Sequence, residues 1–346
     1  MNVLCKNQIN LQLIKGVLSI QKERQTRIDK GGTGCMIGYI VKRFIMMIVT
    51  ILIIASLTFF LMFQIPGSPF DSDRTTNPTI QANLESYYNL DKPVYVQYFT
   101  YLERIITLDF GPSIKKPTET VNGLLERGFP ISFELGMVTI LVALISGILL
   151  GTIAALRHNG VIDYFAMTVA VIGISLPNFI LATMLIQIFA VNLGWLPAAT
   201  WSSAKHMVLP TLALATGPMA IIARLTRASM LEVLTQDYIK MARAKGLKPW
   251  RIVVRHALRN ALMPVVTILG SMLASILTGT FVIERIFGIP GMGKYFVESI
   301  NNRDYPLIMG TTVFYSAFLV FMLFLVDIVY GFLDPRIKLH KKEGDA

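Results

Sequence analysis

The seven residues Gly288 to Lys294, GIPGMGK, have the glycine and lysine spacing of a phosphate-binding loop. In such a loop backbone amides approach the phosphate oxygens and the lysine neutralises them. Tyr295 stands where that chemistry needs a magnesium-holding Ser or Thr, and no strand precedes it, so nucleotide binding is not expected there. Asp109 to Gly111 spells DFG, a magnesium-binding triplet in kinases, but no HRD catalytic loop or glycine-rich loop accompanies it. The four histidines, His158, His206, His256 and His340, are scattered without an HExxH pair. Both cysteines, Cys5 and Cys35, lie in the first 35 residues. The chain is therefore not expected to be an enzyme by itself, nor to hold a metal or cofactor. What it does concentrate is positive charge: between Arg224 and Arg259 nine Lys or Arg stand against Glu232 and Asp237.

That basic stretch lies between segments long and apolar enough to span a membrane. Nothing interrupts a helix from Gln236 to Lys245. Gly246 can take the left-handed conformation that closes a helix, and Pro249 is placed to begin the next. In that second helix Trp250, Val253, Val254, Ala257, Leu258 and Ala261 recur on one face, while Arg251, Arg255 and Arg259 follow at every fourth residue on another. The positive-inside rule alone accounts for such a row of arginines. The hinge at Gly246 asks for more, a helix pair held at an angle beside the bilayer.

Composition agrees with a polytopic membrane protein. Mean hydropathy is +0.58 and 53% of residues are hydrophobic, too apolar for an ordinary soluble domain of 346 residues. The net charge of +11 then concerns sides of a membrane, and no nucleic-acid partner is implied. Residues 1–35 are polar and basic, neither a signal peptide nor a span. KGGTGCM, Lys30 to Met36, can be encoded by a stretch containing a ribosome-binding sequence, so translation is expected to begin at Met36. The first span, within 36–65, is an uncharged run from Phe44 to Ile65, about 33 Å long as a helix. Residues 66–130 form a polar extracytoplasmic cap, with short helices at Ile80 to Tyr88 and Val94 to Thr107. Residues 131–337 form a core with spans at Ile131 to Leu156, Tyr164 to Leu193, Met207 to Ala223, Ala261 to Ile283 and Leu307 to Phe332. Residues 338–346 are a tail. The cap has six basic residues against eight acids, so the nine-cation stretch marks the cytoplasmic side and both termini share it.

Ala242, Gly246 and the run to Pro264 resemble the cytoplasmic coupling motif of bacterial ABC importer permeases, with Lys240 in place of its Glu, Met241 in place of its first Ala and Arg259 in place of a later proline. ARAKGL followed by RHALRNALMP is similar to the peptide and nickel branch. GSPF (Gly67 to Phe70), NLESYYNLDKPVYVQYFTYL (Asn83 to Leu102) and DFGPS (Asp109 to Ser113) resemble the B-type subunit of oligopeptide permeases, and ERIFGIPGMGKYF a segment shared across that family, where its glycines and proline shape a re-entrant turn. The resemblance implies an all-α, six-span, type I (MetI-like) permease fold. It implies coupling helices at about 228–260, in which Tyr238, Met241, Ala242, Arg243, Ala244, Lys245 and Gly246 meet a separate ATPase subunit and Arg251, Arg255 and Arg259 lie on the supporting helix. It also implies partners: a second permease, two ATPase subunits that bind the ATP, and an extracytoplasmic peptide-binding protein, around a lipid-embedded path for peptide.

Ser175, Asn178, Thr267, Ser271 and Ser275, with Thr278 on the same face, could line that path, since hydroxyls exchange hydrogen bonds without fixing a charge. Small polar residues equally mark tight helix packing in membranes. Glu134, Asp163 and Asp327 fall at span ends and read as interfacial or paired carboxylates rather than a proton relay. Three functions remain: import of oligopeptides by the permease subunit of an ATP-driven importer; the same architecture carrying dipeptides, nickel or a metal chelate; and a secondary transporter or channel, which would need neither hinge nor partners.

Overall fold

The computed structural model describes residues 38–64, 86 and 89–333, without the side chains of 274, 277–279 and 329–333. The predicted helix at Ile80 to Tyr88, the polar segment 1–35, the start at Met36, the GSPF segment and the tail 338–346 lie outside the described residues, residue 86 excepted. The described residues are helical, with a single isolated bridge between Pro112 and Thr120. Four helices are long and apolar enough to cross a membrane, and six spans result if each of two bent helix pairs counts as one.

Two compact units are distinguished, residues 1–50 with 324–346, and 51–323. In the first, Arg43 pairs with Asp327 at 2.9 Å and Phe44 meets Phe324 edge-on. Asp327 is thus one of the predicted paired carboxylates. Both residues belong to long helices, α1 (Gly38–Gln64) and α11 (Tyr305–Leu333).

In the second unit α2 (Val94–Thr107) has the bounds read from the sequence. The DFG triplet after it is a turn. Asp109 Oδ1 accepts the Gly111 N–H at 3.1 Å, and the Phe110 N–H donates to Asn122 Oδ1 at 3.1 Å. Asp304, buried, gathers this segment: it accepts from the Ser113 hydroxyl and from the amides of Ile114 and Lys115, and it caps α11 through the Leu307 N–H.

Helix α3 (Val121–Leu156) starts ten residues before the predicted Ile131, because Thr120 Oγ1 caps the Gly123 N–H at 3.1 Å. Pro130 does not end it, so the expected boundary between cap and core lies inside a continuous helix. The predicted third span is broken. Pro177 lacks an N–H and holds Leu176 extended, so α4 (Val161–Ser175) stops and α5 (Asn178–Leu185, continued by a π turn over Ile186–Asn192) leaves at 108°.

Helix α6 (Ala204–Leu234) overruns its predicted end at Ala223, since Arg224 and Arg227 end the apolar run without ending the helix. It packs along α3. A Cβ on Gly151 would come within 2.4 Å of the Ala223 carbonyl oxygen, so only glycine permits that approach. Helices α7 (Asp237–Ala244) and α8 (residues 249–261, with a π turn over Ile252–Ala257) form the elbow, and α9 (Met263–Ile286) follows α8 after a 54° bend. The expected turn before the last span instead contains an eleven-residue helix, α10 (Met292–Asn302).

Candidate coupling site

Helix α7 ends as a glycine-closed turn should. Gly246 has φ +73, its N–H donates to the Arg243 carbonyl at 3.0 Å, and the Leu247 N–H reaches the Ala242 carbonyl at 3.3 Å. This double bond pattern is the Schellman motif, and Leu247 adds its hydrophobic contact to the cluster that holds Ala242. Lys248 then caps α8 with Pro249 at its first position.

The inner face of α7 is Ile239 and Ala242. Both are buried against Met230 of α6, Ala155 of α3, and Ile252, Ala257 and Ala261 of α8. The outer face is Tyr238, Lys240, Met241, Arg243, Ala244, Lys245 and Gly246, all exposed. Ala242, grouped with these from the sequence, lies inside the elbow at 8% exposure, so it packs the hairpin and offers no surface to a partner. The Asn260 amide donates to the Tyr238 hydroxyl at 2.8 Å, tying α7 to α8 a second time. Arg251, Arg255 and Arg259 are exposed along one groove of α8 together with Trp250 and Val254, which the helical spacing had put on the other, apolar face with Ala257 and Ala261.

A second polar cluster stands behind the elbow. Arg227 of α6 holds the buried Asp163 of α4 with Nε at 2.5 Å and Nη2 at 2.6 Å, and His158 Nδ1 lies 3.4 Å from the same carboxylate. The Asn159 N–H donates to Asp163 Oδ2 at 3.0 Å. Asp163 was read from the sequence as paired or interfacial. Its partner was not, being 64 residues away on a stretch whose arginines all look alike.

The phosphate-loop lookalike is occupied from within. Gly293 donates its N–H to Glu284 Oε2 at 2.7 Å, and Met292 donates to Ser132 Oγ at 2.9 Å. The two leading amides of α10 are thus taken by the chain's own side chains, and no room is left at Gly291 or Gly293 for more than hydrogen. Glu284, fully buried, was not singled out in the sequence, where it sits at the end of an apolar run.

The five candidate path residues are exposed. Ser175 and Asn178 flank the 108° break, and Thr267, Ser271 and Ser275 run along α9, against which α5 packs. Ser175, Thr267 and Ser271 donate to carbonyls of their own helices, at 2.8, 3.0 and 2.9 Å. The side chain of Thr278 lies outside the described residues. Glu134 is exposed on α3.

Residues 147–339 match the family described as binding-protein-dependent transport system inner membrane component, and residues 36–117 match the N-terminal part of the same class of proteins. The chain belongs to this family, in its peptide-permease branch. It is 70% identical over 307 residues to the dipeptide transport system permease protein DppB of Bacillus subtilis, covering 89% of this chain and all of that one. It is 44% identical over 305 residues to the oligopeptide transport system permease protein OppB of Haemophilus influenzae, and 42% to that of Escherichia coli K12, each over 88% of this chain and all of the relative. A chain of the MetNI methionine ABC transporter, in an inward-facing form, superposes with a TM-score of 0.52 at 19% identity, over 61% of this chain and 96% of that one. The type I importer permease fold and a multi-pass inner-membrane location follow from this membership.

Proposed function

We propose that this permease carries peptides into the cell as one of two membrane subunits, beside two ATPase subunits and an extracytoplasmic peptide-binding protein. ATP is bound and hydrolysed on the ATPase subunits. The outer face of α7 meets one of them, and the charge asymmetry between cap and elbow supports a cytoplasmic position for α7 and both termini.

The observation that carries this reading is the elbow. Its outer residues are exposed, while Ile239 and Ala242 fasten α7 to α8, and α8 leads into α9. A push on Tyr238 or Met241 therefore has a packed route to the hydroxyl-bearing face of α9. Alternating access needs a two-state element that both sides of the membrane can bias, and this helix pair is assigned that role.

The 70% relative is named for dipeptides and the 44% relative for oligopeptides, so short peptides including dipeptides are the favoured cargo. The deciding experiment copurifies the assembly from native membranes, identifies its subunits, and measures uptake of labelled peptides of graded length. Solute movement by the purified chain alone in vesicles would overturn the reading.

A further inference from the structure

The arginine groove of α8 is built for an anion. Arg251, Arg255 and Arg259 line it with Trp250 and Val254, and among the described residues no carboxylate pairs with any of the three. Their alignment depends on the π turn. Four α-helical residues overshoot one turn by about 40°. Four residues of a π turn fall short of one. The step from Arg251 to Arg255 runs through the π turn and the step to Arg259 leaves it at Ala257, so the two drifts partly offset, and all three arginines line one groove. The Arg251 guanidinium also lies over the Trp250 ring, 5.6 Å from its centroid.

The position of the row selects the anion. Arg259 stands one helical turn before Met263, where the apolar span begins, and the 54° bend carries α8 obliquely away from the direction of that span. Trp250 is 60% exposed, an amphipathic ring of the kind that settles at headgroup depth. The opposite face, Ile252, Ala257 and Ala261, is already covered by α6 and α7. We infer that the groove of Trp250, Arg251, Val254, Arg255 and Arg259 binds the phosphodiester headgroup of an anionic phospholipid, and so seats the elbow on the membrane surface. Guanidinium groups pair with phosphate through two parallel hydrogen bonds, and Val254 and Trp250 supply the apolar contact for the glycerol end of the lipid. The leaflet follows from the orientation proposed above; the lipid chemistry does not depend on it.

The test uses the assembled transporter in nanodiscs that contain either phosphatidylglycerol or phosphatidylcholine carrying a photoactivatable diazirine, at equal mole fraction. Labelling is mapped by mass spectrometry. The segment 250–259 is expected to take severalfold more label from phosphatidylglycerol. Arg255→Gln is expected to lower the local lipid affinity about fivefold, and the triple variant Arg251→Gln, Arg255→Gln, Arg259→Gln to bring labelling to the phosphatidylcholine level. Labelling of residues 44–61 in α1 should not change, which reports correct insertion of each variant. If the triple variant does not insert, the single one decides. Equal labelling by both lipids would overturn the inference. So would competition by excess inorganic phosphate, which would mark a soluble-anion site, or loss of labelling on binding of the ATPase subunits, which would assign the row to a protein surface.

Discussion

Arg227 grips Asp163 with two nitrogens, Nε at 2.5 Å and Nη2 at 2.6 Å, and so ties the turn between α3 and α4 to the stretch of α6 that leads into the elbow. The carboxylate is 3% exposed and the guanidinium 24%. Removing the arginine alone strands a buried charge, at a cost of about 3 kcal/mol, the low end for a buried pair because Arg227 keeps some water. Arg227→Gln should therefore lower the unfolding temperature of the detergent-purified protein more than Asp163→Asn with Arg227→Gln together. Equal losses for the single and double variants would show that the pair is not coupled.

Gly246 has a backbone conformation that costs a residue with a Cβ about 1–2 kcal/mol. Gly246→Val is expected to reduce peptide uptake while membrane levels stay within twofold, and Gly246→Asn to retain most of it, since Asn tolerates φ > 0. Gly246→Pro cannot adopt φ +73 at all and should abolish uptake. Ala242→Glu is a different lesion, because it buries a carboxylate within the elbow. It should reduce the amount of folded protein, as measured by fluorescence-detected size exclusion.

Close approach of α3 and α6 depends on missing side chains. Gly151→Ala puts a methyl 2.4 Å from a carbonyl oxygen and should destabilise by about 1–3 kcal/mol. Gly217, on α6, has nothing within 4 Å of the corresponding position. Gly217→Ala is expected to be neutral or slightly stabilising, through helix propensity. Thermal unfolding of the two variants side by side checks the contrast.

Glu284 substitutes for the phosphate that GIPGMGK would otherwise suggest. Glu284→Gln keeps an oxygen that can accept the Gly293 N–H, whereas Glu284→Ala leaves that amide buried and unpaired, at about 1–3 kcal/mol. Hydrogen exchange of residues 288–296 should quicken strongly in the Ala variant and weakly in the Gln variant. ATP should protect neither the parent nor the variants.

The elbow could be read from the sequence because Gly246 and Pro249 are punctuation with a local mechanism; the bounds of α2 also came out as predicted, although its end at a left-handed Leu108 carries no such signal. Where apolarity was used to set helix ends, the structure differs. Pro130 and Arg224 interrupt hydrophobic runs, yet α3 and α6 continue through them: Arg224 keeps every backbone bond of its helix, and Pro130 forfeits one while keeping a helical φ. Pro177 stops α4 by a local mechanism, but nothing in the sequence gives the 108° angle at which α5 departs. The partners of Asp163 and Asp304, Arg227 and Ser113, lie on distant segments, and one sequence holds no record of those distances.

The π turn in α8 has one residue more than an ordinary helix would use. Were Ile252–Ala257 to relax to α geometry with every residue kept, everything downstream would rotate by about 100°. The face of α9 that carries Thr267, Ser271 and Ser275 would then turn in another direction, with no change in any of their chemical identities. The azimuth of the membrane helix, as seen from the motor, is thus indexed by a single amino acid of slack.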